Sequence, residues 1–361
     1  MAETTSIIEV RKGELHEARV SEEEQVSLAD GQARLTVDSF GLTANNITYA
    51  VFGDMMSYWQ FFPAPGGRDY GVVPVWGFAT VAETTVDTLD VGERIYGYFP
   101  MGQSLVVEPD RITPASFVDR SAHRADLPAA YNSYVRCVGD PSYEADGEDA
   151  RMLLQPLFFT AFLIDDFLAD ADFFAGIQVV ATSASSKTGF GTAHLLRKRP
   201  GITVIGLTSP SNREFVESLG CYDTVIAYDE LESLPAGPTV LIDFAGNQNV
   251  VRAVHEHYGD DLKHSAVIGG THWDADRPEP APMPGPKQEF FFAPTRIQVR
   301  AKDWGMAELQ RRLAAEWAAF LPLADESLTV QHVDGLERGI DVYLEVLSGR
   351  TSPSVAHVIR P

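Results

Sequence analysis

Short apolar segments and turns follow one another over the first part of the chain. Residues 34–38 alternate between apolar and polar side chains, residues 72–75 are apolar, and residues 91–94 begin a turn that leads into another apolar segment. Short strands separated by turns are typical of antiparallel, β-rich domains. The pattern therefore predicts a β-rich domain, with the form of a partly open barrel, up to about residue 115.

The pattern changes after residues 139–150, an acidic stretch that predicts a loop. A long apolar helix is predicted at 151–168, and shorter helices at 192–198, 212–219 and 306–320. Continuous apolar runs between them predict buried strands at 176–181, 202–207, 224–227, 239–243 and 265–269. Strands that alternate with helices indicate an α/β domain with a doubly wound parallel sheet. The proline-rich segment 274–288 predicts a surface loop.

Charge and cysteine content narrow the classes of function. The net charge of −23 argues against nucleic acids and anionic membrane surfaces as partners, because both attract basic patches. Two cysteines, Cys137 and Cys221, are too few for a disulfide framework or a four-thiolate zinc site. The N-terminus lacks an apolar signal core, and no run of 18 apolar residues occurs, so a cytoplasmic protein without membrane-spanning helices is expected.

The turn between the strand 176–181 and the next helix is a candidate dinucleotide loop. In a Rossmann unit, this turn brings backbone amides and a helix N-terminus to the pyrophosphate. Ser183 and Ser186 stand where glycines are usual, and Lys187 stands where a third glycine is expected. The residues predicted to contact the cofactor here are Ser183, Ser185, Ser186, Lys187, Thr188 and Gly189.

The end of the second strand favours NADPH over NADH. An NAD site places an acidic residue there to hold the ribose hydroxyls, and residues 206–213 contain none. Ser209, Asn212 and Arg213 instead offer donors and a positive charge that suit a 2′-phosphate. The alternative is a serine that caps a helix, followed by a surface arginine.

Several segments, in the right order, resemble zinc-free medium-chain dehydrogenase/reductases of the quinone-reductase and enoyl-reductase kind. Residues 204–231 are similar to the second strand, helix and third strand of that superfamily, with Tyr228 at the end of the third strand. Residues 156–161 and 241–246 resemble two further motifs of the cofactor domain, and residues 267–270 resemble the strand that passes the nicotinamide. In the first domain, residues 45–49 resemble an Asn-containing turn, and residues 91–95 resemble its V-G-D-R-V segment.

The resemblance implies a GroES-like, β-rich catalytic domain at 1–158, a Rossmann domain at 159–295, and a return segment at 296–361 that completes the first domain. It also implies that Thr160 lies beside the carboxamide of the nicotinamide and that Tyr228, Ala245, Gly269 and Gly270 contact the cofactor. Residues 74–78 (PVWGF) replace the superfamily's catalytic zinc pattern, so no metal is expected.

The resulting hypothesis is NADPH-dependent, metal-independent hydride transfer to a conjugated carbonyl, such as an enone or a quinone. A zinc-free site needs hydrogen-bond donors for the developing oxyanion, and the resemblance places Asn45, Asn46, Tyr49 and Tyr58 near the nicotinamide. Tyr49 is the first choice for the donor and Tyr58 the second. The alternative is that the asparagines cap a turn and the tyrosines pack in the barrel.

Two other functions remain open at this point. The substituted glycine loop is compatible with a catalytically silent NADP(H)-binding protein that acts as a redox sensor or scaffold. Alcohol–ketone interconversion is the second enzymatic alternative, although the sequence offers neither a zinc pattern nor an evident proton relay for it. A small-molecule substrate is expected in both enzymatic cases, and the superfamily resemblance implies a homodimer.

Overall fold

The computed structural model describes residues 4–269 and 282–361 of the chain. Within these residues it separates into two compact units. Unit 1 comprises the described residues up to 153 together with 330–361, and unit 2 comprises the described residues between 154 and 329. Gly270 and residues 274–281 of the predicted loop lie outside the described residues, and residues 282–288 form an irregular segment.

Unit 1 is rich in antiparallel strands, as the alternating pattern of the sequence predicts. Its described helices are α1 (Ala44–Val51), α2 (Ala129–Asn132) and α9 (Leu336–Leu347). Its strands are β1 (Thr4–Arg11), β2 (Glu14–Glu24), β3 (Ala33–Leu42), β4 (Tyr70–Gly71), β5 (Pro74–Thr84), β6 (Arg94–Pro100), β7 (Ser104–Val107), β8 (Pro109–Asp110), β9 (Ser116–Asp119), β10 (Ser133–Arg136), β17 (Thr329–Asp334) and β18 (Val355–Arg360).

The C-terminal strand completes the main sheet of unit 1. The described part of this sheet has the order β17-β18-β3-β5-β6-β10-β9-β8, and β7 also pairs with β3. Strand β18 runs antiparallel to β3, with Val358 opposite Gly41. A second sheet has the order β2-β1-β4. The end of the chain therefore returns to the domain in which it began, as the resemblance implies.

The Asn-containing segment at 45–49 forms a helix rather than a turn. Thr43 is the N-cap of α1, and its hydroxyl accepts a hydrogen bond from the Asn45 amide at 3.3 Å. The side chain of Asn46 completes a capping box, because its Oδ1 accepts from the Thr43 amide at 2.8 Å. Its Nδ2 donates to the carbonyl oxygen of Pro74 at 2.9 Å, which ties α1 to β5.

The described part of unit 2 contains a six-stranded, fully parallel sheet. Its strands are β11 (Gln178–Ala181), β12 (Thr203–Thr208), β13 (Thr224–Ala227), β14 (Thr239–Asp243), β15 (Leu262–Val267) and β16 (Glu289–Phe290). Its described helices are α4 (Lys187–Leu196), α5 (Arg213–Ser218), α6 (Gln248–Tyr258), α7 (Ala293–Asp303) and α8 (Met306–Ser327). The strand order β13-β12-β11-β14-β15-β16 is the doubly wound 3-2-1-4-5-6 order of the Rossmann fold when numbered within the unit.

The boundary between the units falls inside helix α3 (Glu148–Asp170), close to the expected residue 158. The second boundary lies at residue 330, whereas the return segment was expected from residue 296. Helices α7 and α8 stay in unit 2 because they pack on α3 and α4. The ring of Phe320 stacks on Phe158 with centroids 4.7 Å apart, and Arg296 binds Asp166 of α3 at 2.6 Å.

Helix α3 is apolar over most of its length. Together with the short turn before it (Ala145–Asp170), it has the length and composition of a helix that could cross a membrane, although the sequence contains no uninterrupted run of 18 apolar residues. Within its most apolar window, 67% is buried inside the protein. A buried core helix of a globular protein has the same composition, so the feature is weak support for a membrane span.

Candidate nucleotide-binding site

The carboxyl ends of β11 and β14 lie side by side in the sheet, at the point where the strand order reverses. In open α/β sheets, ligands bind in the crevice at this switch point. A buried hydrogen-bond network joins the two strand ends. The Thr182 hydroxyl, after β11, donates to the Asp243 carboxylate at 2.7 Å and accepts from the amides of Phe244 and Ala245 at 2.9 and 3.1 Å.

Asp243 shapes the turn that follows β14. Its Oδ1 accepts from the amides of Ala245 and Gly246, both at 3.1 Å. The side chain is fully buried, and burial is the main reason why the pKa of this carboxyl is raised. The network fixes the position of Ala245, one of the predicted cofactor contacts, through two hydrogen bonds to its amide. The motif at residues 241–246 predicted this strand, but the hydrogen bond between Asp243 and Thr182 is visible only in the structure.

The loop 182–186 connects β11 to the N-terminus of α4. Ser183 adopts a left-handed backbone conformation with φ of 48°, which is costly for a residue that carries a Cβ. Its amide donates to the Tyr228 hydroxyl at 2.8 Å, and the Ala184 amide donates to the carbonyl oxygen of Leu207 at 2.9 Å. Tyr228, which was expected to contact the cofactor, therefore contacts the loop directly and occupies one of its backbone donors.

Helix α4 begins at Lys187, with Ser186 as its N-cap. The Ser186 hydroxyl accepts from the Gly189 amide at 3.1 Å. A Cβ on Gly189 would lie 3.0 Å from both the Ser183 carbonyl oxygen and the Ser186 hydroxyl. The glycine needed for close approach of the helix to the loop is therefore Gly189, and not the position of Lys187. Burial lowers the pKa of the Lys187 ammonium to about 8.

The predicted 2′-phosphate contacts lie on one segment, but Arg213 is already paired. Its guanidinium binds Glu217 at 3.0 Å and Glu230 at 2.8 Å on a partly exposed surface. Asn212 donates to the Ser185 hydroxyl at 3.3 Å, which connects this segment to the loop 182–186. Ser209 lies within 3.0 Å of the Ser211 hydroxyl. A phosphate at this position would have to compete with two carboxylates for Arg213.

Three further predicted cofactor contacts are placed as follows. Thr160 lies half-buried on α3, and its hydroxyl donates to the carbonyl oxygen of Pro156 at 3.2 Å. Gly269 follows β15, and a Cβ there would lie 3.2 Å from the carbonyl oxygen of Phe244. Thr188 lies in the first turn of α4, where its carbonyl oxygen accepts from the Thr192 hydroxyl at 2.8 Å.

Two of the four predicted donors, Tyr49 and Tyr58, lie in a cluster of four tyrosines with Tyr98 and Tyr131. We call these residues the tyrosine cluster. Tyr49 and Tyr58 have ring centroids 4.5 Å apart and are buried, with 5% and 6% of their surface exposed. The Tyr49 hydroxyl accepts from the indole nitrogen of Trp76 at 3.4 Å, and the hydroxyls of Tyr58 and Tyr131 lie 3.3 Å apart.

The sequence did not single out Tyr98 and Tyr131, because each lies on a separate element far from residues 45–58 along the chain. Burial raises the pKa of Tyr49 and Tyr58 above its usual value, so both remain protonated donors at neutral pH. Asn46 uses its side chain to cap α1, whereas Asn45 is half-buried beside the cap. Within the described residues, no group of three His, Cys, Asp or Glu side chains is arranged to hold a metal ion.

The fold places the chain among proteins with a medium-chain dehydrogenase/reductase architecture. CurA from Vibrio vulnificus, in complex with NADPH, matches with a TM-score of 0.64 and 15% identity, over 99% of each chain. A probable oxidoreductase from Mycobacterium abscessus matches with a TM-score of 0.56 and 13% identity, over 100% of each chain. The yhdH oxidoreductase from Salmonella enterica, in complex with NADP, matches with a TM-score of 0.55 and 15% identity, over 99% of this chain and 100% of that chain.

These likenesses confirm the predicted α/β fold, with a Rossmann sheet and a split β-rich domain. At the level of sequence family, the chain belongs to the family described as "Protein of unknown function (DUF2855)", whose model matches residues 40–352. No curated protein matches the chain.

Proposed function

We propose that this protein is an NADPH-dependent, metal-independent oxidoreductase that transfers hydride to a conjugated carbonyl, such as an enone or a quinone. The observation that carries the proposal is the switch point between β11 and β14, with the loop 182–186 and the N-terminus of α4 beside it. The structures of CurA with NADPH and of yhdH with NADP support a nicotinamide cofactor for this fold.

The residues of unit 2 fit a dinucleotide in most respects. The N-terminal turn of α4 would hold the pyrophosphate, with Gly189 providing close approach and Lys187 adding positive charge. Ser209, Asn212 and Arg213 would hold the 2′-phosphate. Thr160, Ala245 and Gly269 are the proposed contacts of the nicotinamide half. When bound, the cofactor would supply the hydride.

In an enone, hydride addition at the β-carbon breaks the carbon–carbon π bond and moves its electron pair toward the carbonyl oxygen. A proton then completes the saturated product. The protein's part is to stabilise the negative oxygen with neutral donors. Tyr49 and Tyr58 remain the proposed donors from the family resemblance, together with Asn45. Asn46 is a weaker choice, because both ends of its amide already hold α1 in place.

The second candidate is a nucleotide-binding protein without turnover, which would serve as a redox sensor or scaffold. Two features of the loop favour it. Ser183 replaces a usual glycine in a left-handed conformation, and its amide is bound by Tyr228. A cytoplasmic location and a homodimer are further proposals that rest on the sequence and the family resemblance.

The test is a titration of the full chain with NADPH and NADH, followed by thermal shift, since a ligand that binds only the native state raises the midpoint. Arg213→Ala should weaken NADPH about tenfold and leave NADH unchanged, because it removes one charge-assisted contact. Glu230→Gln should strengthen NADPH up to about fivefold, because it removes an exposed carboxylate that competes for Arg213.

Three outcomes decide between the proposals. An equal loss for NADPH and NADH in Arg213→Ala would reject the 2′-phosphate assignment. A lack of any shift with both nucleotides would reject the nucleotide site. Tight NADPH binding without oxidation of NADPH by a panel of enones and quinones would favour the sensor or scaffold.

A further inference from the structure

Unit 2 contains a cleft of about 600 Å³, lined by residues of α3, α7 and α8 and by residues at the end of α4. Sites for small molecules have volumes of about 300–1,000 Å³. Lys198 and Arg199, which line the cleft, follow the C-terminal end of α4. The candidate nucleotide site lies at the other end of this ten-residue helix, about 15 Å away along its axis. The cleft is therefore separate from the nucleotide site.

Basic side chains gather in this cleft, although the chain as a whole is strongly acidic. The chain has 51 acidic and 28 basic residues, which gives a net charge of −23. The residues that line the cleft reverse this balance, with four carboxylates and five cations: Lys198, Arg199, Arg300, Arg311 and Arg312. A local excess of positive charge on a negative protein attracts small anions to that place.

Most of the carboxylates in the cleft are already saturated. Three of the four have both oxygens bound by arginine: Asp165, Asp166 and Asp170. Arg199, for example, donates to the two oxygens of Asp165 at 2.9 and 2.5 Å. The fourth carboxylate, Glu316, binds Lys198 through one oxygen at 2.5 Å. The cleft therefore offers few free acceptors to a cationic ligand.

The unused hydrogen-bonding capacity of the cleft consists mainly of donors. Arg312 binds Glu308 through its Nε at 2.7 Å, and neither of its terminal nitrogens makes a hydrogen bond within the described residues. Arg311 and Arg199 each use two nitrogens on a carboxylate, and in the same part of the chain the third nitrogen of each makes none. The planar fork of a guanidinium suits carboxylate and phosphate oxygens, so these donors match an anionic ligand.

The cleft also has an apolar side, and its donors are held in place before a ligand binds. The guanidinium of Arg312 lies 4.1 Å from the centre of the Trp304 ring, and that of Arg300 lies 4.4 Å from it. Side chains that are already fixed lose less conformational entropy on binding. Phe162 and Leu195 are buried residues of the cleft wall and offer apolar surface to the body of a ligand.

We infer that the cleft binds a small organic anion, whose carboxylate or phosphate group contacts Arg199, Arg311 and Arg312 and whose apolar body packs against Phe162 and Leu195. The volume of the cleft is much larger than an inorganic anion needs, which favours an organic ligand. The inference goes beyond the proposed function, because it concerns a second site at the opposite end of α4.

The experiment is a calorimetric titration of the full chain with 2-naphthoate and with 2-naphthyl phosphate, in the absence and presence of saturating NADPH. The neutral comparison is 2-naphthalenemethanol, which has the same ring system without the charge. At least one of the two anions should bind about tenfold more tightly than the alcohol, which is the effect of one charge-assisted hydrogen bond. This preference should decrease with added salt, because the cleft is open to solvent.

Arg312→Gln and Arg311→Gln should each weaken the bound anion about fivefold and leave the alcohol unchanged, since each removes one partly exposed positive charge. Arg312→Lys keeps the charge without the planar fork and should recover part of the loss. The side chains of Arg311 and Arg312 are 67% and 46% exposed, so these variants should fold as wild type does. Arg197→Gln is the matched control, because Arg197 is exposed beside Lys198 but does not line the cleft, and it should leave binding unchanged.

The inference is overturned if neither anion binds more tightly than the alcohol, if Arg311→Gln and Arg312→Gln both bind the anion as wild type does, or if Arg197→Gln weakens it equally. It is also overturned if NADPH displaces the probe, because the probe would then occupy the nucleotide site. The outcomes separate the two proposals. If the anion depends on Arg312 while no nicotinamide binds, the cleft site stands and the proposed function fails. If NADPH binds and is oxidised while neither anion binds, the proposed function stands and the cleft site fails.

Discussion

Asp166 is the centre of a buried ion-pair network that holds α7 on α3. Its carboxylate binds Arg296 at 2.6 Å and Arg300 at 2.7 Å, and only 8%, 9% and 7% of the three residues is exposed. Both guanidiniums also bind Asp170, at 2.9 and 2.8 Å, but that carboxylate is 47% exposed. Asp166→Ala would therefore leave two buried positive charges with only half-exposed partners, Asp170 for both guanidiniums and Asp303 for Arg300.

Breaking a buried pair by removing one partner typically costs about 3–5 kcal/mol, because the remaining charge stays buried. At roughly 2–4 °C per kcal/mol for a domain of this size, the thermal midpoint of unit 2 should fall by roughly 6–20 °C. Urea unfolding measures the change in the free energy of unfolding, and calorimetry measures the change in the thermal midpoint. The control is Asp303→Ala, whose carboxylate binds Arg300 at 3.1 Å but is 46% exposed, and it should cost less than about 1 kcal/mol.

A triple variant separates charge burial from helix packing. Asp166→Leu combined with Arg296→Met and Arg300→Met removes all three charges and should recover most of the stability, since apolar residues can replace a buried ionic network. The reasoning is refuted if Asp166→Ala costs no more than Asp303→Ala. It is also refuted if the triple variant is less stable than Asp166→Ala, because the loss would then come from packing.

The remaining predictions concern Lys187 and the backbone before β11. Burial lowers the pKa of Lys187 in the folded state from 10.5 to about 8. Below pH 8 the buried charge therefore destabilises the folded state. Between pH 8 and 10.5 this cost is relieved, because only the unfolded state still holds the proton. Lys187→Met should therefore have a higher free energy of unfolding in urea than wild type at pH 7, and this difference should shrink toward pH 10. The control is Lys198→Met, at an exposed lysine. A difference that does not change with pH, or the same pH dependence in Lys198→Met, would contradict the prediction. Four consecutive residues, 172–175, have positive φ, and Ala175 has φ of 61°. Ala175→Gly should stabilise unit 2 by about 0.5–1 kcal/mol, since the relief of about 1–2 kcal/mol exceeds the entropy that glycine loses. The control Ala171→Gly, at φ of −90°, should destabilise it, and a loss in both variants would show that the left-handed turn is not strained.

The sequence by itself determined the central sheet and the order of the domains. The strands β13 and β14 have the predicted bounds, 224–227 and 239–243, because a strand buried on both faces has a continuous apolar centre, which is Val-Ile-Ala in β13 and Val-Leu-Ile in β14. The predicted helix at 212–219 is α5, and the one at 306–320 is the first part of α8. Local periodicity carries this information, since it depends on residues close in the chain.

Helix capping could be predicted in part from the sequence. Asn46 follows Thr43 by three residues, which is the spacing of a capping box and signals a helix start rather than a turn. Ser186 is the N-cap of α4 and accepts from the Gly189 amide, but glycine has no side chain to complete a capping box, so the spacing alone does not signal this role. The family pattern aligns its third glycine with Lys187, whereas the close approach of helix and loop in the structure is at Gly189.

Only the tertiary structure decided where the chain changes domain and which side chains meet. The sequences of α7 and α8 do not indicate to which unit these helices belong. Their assignment to unit 2 depends on contacts with distant residues, such as the ion pair of Arg296 with the Asp166 carboxylate 130 residues away. Arg213 is neutralised by Glu230, 17 residues away, beyond the end of the neighbouring strand. Tyr131 meets Tyr58 across 73 residues. Periodicity assigns each residue to an element and a face, but contacts between distant elements depend on how the elements pack, and these contacts form the candidate sites.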